Sequence, residues 1–148
     1  MSNKQTILIV DDEKTNIDML INLLKSTTNQ YRIIPVLSGE KALEAVQKRK
    51  IDLILLDIVM PQMNGYEVCK VLKSQNSTKD IPILFITSSS DDASIEKAYN
   101  FGASDYVTKP IRALELLSRV RLNLKLQETL EKLEHYEANE SRATIQNR

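Results

Sequence analysis

Cysteine is almost missing from this chain: Cys69 stands alone among 148 residues. A single thiol rules out an internal disulfide and a cysteine-rich metal centre, and it suits a reducing cytosol. Its setting, Val68-Cys69-Lys70-Val71-Leu72, is that of an inert helix-packing residue. Histidine is equally scarce, and His135 lies in a polar stretch where a solvated side chain is the plain reading. Net charge is absent too: 20 Lys and Arg stand against 20 Asp and Glu, so nothing in the bulk attracts nucleic acid or an anionic membrane. No apolar run approaches bilayer-spanning length, and the opening Met1-Ser2-Asn3-Lys4-Gln5 lacks the apolar core of a secretion signal. A cytoplasmic protein without direct membrane or nucleic-acid binding is expected, and any partner must be recognised by a localised site. Internal repeats and low-complexity segments are also lacking.

What the chain does have is a set of short apolar runs that end in polar residues. The one at the centre of the argument is Ile51 to Pro61, in which Leu53-Ile54-Leu55-Leu56 leads to Asp57 and then to a Met60-Pro61 turn. An apolar run of strand length, bounded by turn residues, reads as a strand buried on both faces of a parallel sheet. Thr6-Ile7-Leu8-Ile9-Val10 is a second such run, tipped by Asp11-Asp12-Glu13. Lys14 to about Ser26 places Ile17, Leu20, Ile21 and Leu24 on one helical face, closed by Ser26-Thr27-Thr28-Asn29. Tyr31 to Leu37 is β-rich but carries Pro35, which assigns it to a sheet edge. Ser38-Gly39-Glu40 opens a second helix.

After the central run, Asn64 and Glu67 form a capping box for a helix to about Ser74, and Ser74 to Asp80 is a polar loop. Ile81 to Ile86 is the fourth strand, followed by the hydroxyl cluster Thr87-Ser88-Ser89-Ser90. Asp91-Asp92 begins a helix stopped by Gly102, and Ser104-Asp105-Tyr106-Val107 is the fifth strand, leading into Thr108-Lys109-Pro110. Five strand–helix repeats with short connections give a doubly wound α/β fold, a five-stranded parallel sheet covered on both faces. The helix from about Ile111 to Tyr136 outruns the sheet: Leu114, Leu117, Val120 and Leu124 form one stripe, and Leu122, Leu126, Leu130, Leu133 and Tyr136 another. Beyond about Leu124 it has nothing in its own domain to pack on and is expected to pair as a coiled coil or lead onward.

In a parallel sheet all strand C-termini share one edge, so Asp11, Asp12, Asp57, Thr87 and Lys109 converge there. Three carboxylates in a small volume call for a cation, and hard oxygen ligands favour Mg²⁺. A cation site beside a carboxylate, a lysine and a hydroxyl is equipped for phosphoryl transfer.

These stretches, in this order and spacing, resemble the receiver domain of two-component response regulators, whose fold is the flavodoxin-like (βα)5 arrangement. The resemblance covers residues 4–124, leaving 125–137 as a helical linker and 138–148 as a polar, disordered tail. It implies that Asp57 is the phosphoacceptor, taking a phosphoryl group from a sensor histidine kinase or a phosphotransfer protein. Asp12, Asp57 and the backbone carbonyl of Val59 would hold Mg²⁺, with Asp11 acting through water. Lys109 would bind the phosphoryl oxygens, with Lys109-Pro110 a cis peptide; Thr87 and Tyr106 would be the switch. Val59 and Ser89 occupy the positions that tune dephosphorylation, and an apolar Val59 cannot orient an attacking water. The fourth helix, fifth strand and fifth helix, together with the C-terminal extension, would carry the partner or homodimer contact. No enzymatic activity on another molecule is implied for this span.

Each residue has a blander reading: Asp11-Asp12-Glu13 as helix-capping acids, Lys109 as a surface lysine, Tyr106 as a half-buried strand aromatic. Their joint placement at the strand tips favours a single site. Two other functions fit less well. An aspartyl-phosphate phosphatase would carry a second Asp two residues past its nucleophile, where this chain has Val59. A phosphate-independent interaction module would have no need to retain clustered buried charges.

Overall fold

Alternation along each strand decides how the molecule is layered. In a computed structural model describing the backbone of residues 4–26, 30–89 and 91–146, and side chains as far as residue 140, five strands form one sheet: β1 (Gln5–Val10), β2 (Tyr31–Val36), β3 (Leu53–Asp57), β4 (Ile83–Thr87) and β5 (Asp105–Thr108). Their order is β2-β1-β3-β4-β5, and every pairing is parallel. Successive side chains point to opposite faces. Thus Leu8, Val10, Ile54, Leu56, Ile83 and Phe85 pack with Ala42, Val68, Cys69, Leu72 and Ala98. Those partners come from α2 (Gly39–Lys48), α3 (Gly65–Lys73) and α4 (Asp92–Asn100). On the other face Ile7, Ile9, Leu53, Leu55, Leu84 and Ile86 meet Ile17, Leu20 and Leu24 of α1 (Lys14–Lys25) and Leu116, Val120 and Leu124 of α5 (Ala113–Gln146). This is the doubly wound, flavodoxin-like arrangement, and β3 at its centre is buried at every position.

Local signals act where the sequence placed them. Pro35 lies in the edge strand β2, paired only with β1, where a missing N–H leaves no ladder partner unmet. Asn64 and Glu67 close a reciprocal capping box at 2.9 and 3.3 Å. Asp91 caps α4 by accepting the Ser94 N–H at 2.7 Å. Gly102, at φ +103°, follows that helix, its N–H bonding Tyr99 O and the Ala103 N–H bonding Ala98 O, the paired bonds of a left-handed C-terminal cap. Thr27, Thr28 and Asn29, expected to close α1, and Ser90 of the hydroxyl cluster lie outside the described residues.

The last helix departs from expectation in three ways. Leu114 is exposed, and the packed stripe is instead Leu116, Val120 and Leu124, with Leu117 partly buried. Positions four apart fix that register, because they align on one face of the helix over the sheet. Asn123 and Gln127 are buried within the same face. Past Leu124, whose carbonyl accepts from Gln5 at 3.5 Å, the helix still touches its own domain: Gln127 is buried and Glu131 pairs with Lys50 at 3.1 Å. It also continues through Gln146 rather than ending near Tyr136, since Glu137 to Gln146 contains no Gly or Pro to stop it. Among the described residues no helix is long and apolar enough to cross a membrane.

Candidate functional site

β1 and β3 are neighbours, so the acids after β1 and the acid ending β3 meet at the C-terminal edge of the sheet. One oxygen each from Asp11, Asp12 and Asp57 lies within 4.8 Å of the others. Asp11 and Asp57 are buried, whereas Asp12 is exposed. Asp11 accepts the Glu13 N–H at 2.9 Å, which holds its carboxylate at the mouth of α1. Lys109 reaches in from beyond β5, its Nζ 3.7 Å from Asp57 Oδ1. The lysine is anchored through its backbone, whose N–H donates to Thr87 O at 2.8 Å, and the Lys109-Pro110 peptide that follows is cis.

One ammonium against three carboxylates leaves the cluster short of positive charge. Burial, and then the charge of Asp11, push the Asp57 carboxyl up to about 6, and Lys109 only partly offsets them. Asp11 is raised as well, mainly by burial. Crowded carboxylate oxygens without sulfur or imidazole donors form a set of hard ligands, which fits Mg²⁺.

Glycine is required where the loop after β3 folds back. The Gly65 N–H donates to Ile58 O at 2.8 Å, and a Cβ on Gly65 would fall 2.5 Å from Asp57 O. Between them Gln62 takes φ +67° inside a three-residue turn closed by Met63 N–H to Pro61 O at 2.8 Å. Val59 thereby stands at the rim, 76% exposed.

Thr87, at the end of β4, accepts the Ser89 N–H on its hydroxyl at 3.1 Å. Ser89 itself is turned toward α4, its Oγ bonded to Asp91 and Ser94. Tyr106 packs edge-on against Tyr99 of α4, ring centroids 5.9 Å apart. Asp11, Asp12, Asp57 and Lys109 are therefore gathered into one cluster with Thr87 tied to its edge. Ser89 and Tyr106 point their side chains into the α4 contact.

The model of the response regulator receiver domain matches residues 7–121. This chain belongs to that family. As a receiver it is 42% identical over 121 residues to the transcriptional regulatory protein YvrH of Bacillus subtilis, covering 81% of this chain and 49% of that one. It is 43% identical over 120 residues to a probable cyclic di-GMP phosphodiesterase of Vibrio cholerae, covering 81% of this chain and 26% of the other. The chain thus spans half or less of these curated relatives. Among solved structures, a putative response regulator from Chloroflexus aurantiacus aligns with TM-score 0.78 at 34% identity, covering 83% of this chain and 99% of that one. The receiver domain of a sensor histidine kinase from Pseudomonas aeruginosa, solved with a magnesium ion in its active site cleft, aligns with TM-score 0.74 at 26% identity, covering 82% and 98%. Receivers act in two-component signalling, with aspartate phosphorylation and Mg²⁺ as family features, and are in general not enzymes. A transcriptional regulator among the relatives gives the expectation of no nucleic-acid partner no support.

Sequence reasoning missed a second polar group in this receiver. Asp105 accepts from Arg119 Nη1 at 2.8 Å, from the Tyr106 N–H at 2.9 Å and from Asn123 Nδ2 at 3.3 Å, joining β5 to α5. The available signal was Arg119 and Asn123 interrupting an apolar stripe at a spacing of one turn. Gln62 gave no signal, since glutamine has no preference for positive φ.

Proposed function

We propose that this receiver accepts a phosphoryl group on Asp57 from the phosphohistidine of a sensor kinase or phosphotransfer protein. The observation that carries the reading is the buried, electron-rich Asp57 at a strand tip, crowded by Asp11 and Asp12 and faced by Lys109. An Asp57 carboxylate oxygen attacks phosphorus, an O–P bond forms as the N–P bond breaks, and the bond's electron pair returns to the imidazole, which takes up a proton from solvent. Lys109 binds the transferred oxygens as a point charge and neutralises part of what accumulates there. Asp12, Asp57 and the Val59 carbonyl would hold Mg²⁺, with Asp11 acting through water; bound there, the ion supplies charge neutralisation for the incoming phosphoryl group.

The output is a population shift. A new anion beside Thr87 accepts a hydrogen bond from its hydroxyl, drawing that side chain toward Asp57 and away from the Ser89 N–H, and the space vacated lets Tyr106 leave Tyr99 and turn inward. The exposed faces of α4, β5 and α5 change accordingly, and their partner is an output domain or another copy. Val59 offers nothing to orient water at the phosphoryl group, so the phosphorylated state persists, with Ser89 a second tuning position.

The test is intact mass after incubation with acetyl phosphate. A gain of one phosphoryl group that requires both Mg²⁺ and Asp57, and is absent in Asp57→Asn, is expected. An equal gain in Asp57→Asn, or no gain from acetyl phosphate and a histidine-phosphorylated donor alike, would refute the assignment.

A further inference from the structure

The second stripe of α5 lies bare: Leu122, Leu126, Leu130, Leu133 and Tyr136 are each between 43% and 65% exposed. From Leu122 the spacing alternates by four and three through Leu126, Thr129, Leu133 and Tyr136. That is a coiled-coil seam, with Leu126 and Leu133 at a and Leu122, Thr129 and Tyr136 at d. We infer that a second copy of this chain covers the stripe, the two α5 extensions lying parallel as a short two-stranded coiled coil.

Two observations select this occupant. The first is rotational. Val120, Leu124, Gln127 and Glu131, which face the chain's own domain, occupy the b and f positions of the same repeat. At 3.6 residues per turn those positions lie roughly 150° from the a/d seam, so docking on the domain turns the seam outward and leaves room beside it. Gln5–Leu124 holds that rotation at the end of the sheet and Lys50–Glu131 holds it further along the helix.

The second is charge. In a parallel pair each g residue approaches the e residue of the next heptad on the partner, which brings Lys132 to the partner's Glu137 and lays the Lys125 stem over the partner's Leu130. In an antiparallel pair g faces g, and Lys125 would confront the partner's Lys132. Lys132 now pairs within its own helix with Glu128 at 3.1 Å, an exposed contact that is readily exchanged. The seam is only about 20 Å long, so association is expected to be weak and concentration-dependent.

Light scattering over a concentration series reads the mass. The wild type is expected to pass from monomer to dimer with rising concentration, and Leu126→Asp/Leu133→Asp to remain monomeric with an unchanged thermal midpoint, because both side chains are exposed. Glu137→Lys should weaken the dimer and Lys132→Glu/Glu137→Lys restore it. In a Cys69→Ser background, Leu126→Cys should form a disulfide-linked dimer, as a parallel seam sets the two copies of that position side by side, whereas an antiparallel pair sets each a residue against a d residue of the partner, which brings Leu126 to Thr129 or Tyr136. A wild type monomeric throughout, or a dimer that survives Leu126→Asp/Leu133→Asp, would overturn the inference. A dimer lacking the Leu126→Cys crosslink would overturn its parallel sense. The outcome is independent of Asp57, since each of these variants should still gain one phosphoryl group.

Discussion

At the scale of a residue, Asp57 is held in a place its charge does not favour. Its carboxyl rises from 3.8 to about 6, so the folded protein holds this proton at pH values where the unfolded chain has lost it. The resulting stabilisation is complete below the unfolded value and is lost as the pH climbs through about 6. In chelator at neutral pH, Asp57→Asn is expected to be more stable by up to roughly 3 kcal/mol, a difference that shrinks across that window on acidification. Denaturant melts at two pH values measure it; equal stability at neutral pH would contradict the cause given for the shift. Val59 carries the kinetic counterpart. Val59→Asn, which places a hydrogen-bonding amide at the rim, is expected to shorten the phosphoryl lifetime several-fold without altering the thermal midpoint of the unphosphorylated protein, as timed by release of inorganic phosphate.

At the scale of an element, the turn after β3 matters most. Gly65→Ala would press a methyl into the carbonyl of Asp57, 2.5 Å from the ideal Cβ position, and is expected to cost about 2 kcal/mol in stability and to slow phosphorylation by shifting the acceptor. Stability loss without any change in phosphorylation rate would confine the contact to packing. The strands and helix caps were legible because they depend on neighbours in sequence: apolar runs, Pro35 at an edge, Asn64 with Glu67, Gly102 after α4. The acids and Lys109 were legible because parallel topology sends every strand tip to one edge. Less legible was whatever depends on rotation about a helix axis. Leu114 and Leu116 are both leucine, and only docking decides that the second is buried and the first is not. The Asp105–Arg119–Asn123 group and the Gln62 turn likewise express three-dimensional context rather than local preference.

At the scale of the whole molecule, α5 begins three residues after Pro110 beside the edge that carries Asp57, and among the described residues it is the helix that passes the opposite edge of the sheet. From Ala113 to Tyr136 it measures about 35 Å, so it works as a lever whose short fixed end sits next to the switch. A tilt of only about 5° at that end would move Tyr136 by roughly 3 Å. Beyond the buried Gln127, the tilt is opposed by Lys50–Glu131, an exposed pair of the kind worth under about 1 kcal/mol. A latch that weak gives way to modest forces, including dissolved salt. Under the proposed phosphorylation of Asp57, the heading of the lever is therefore set by a contest that a single phosphoryl charge would be large enough to decide.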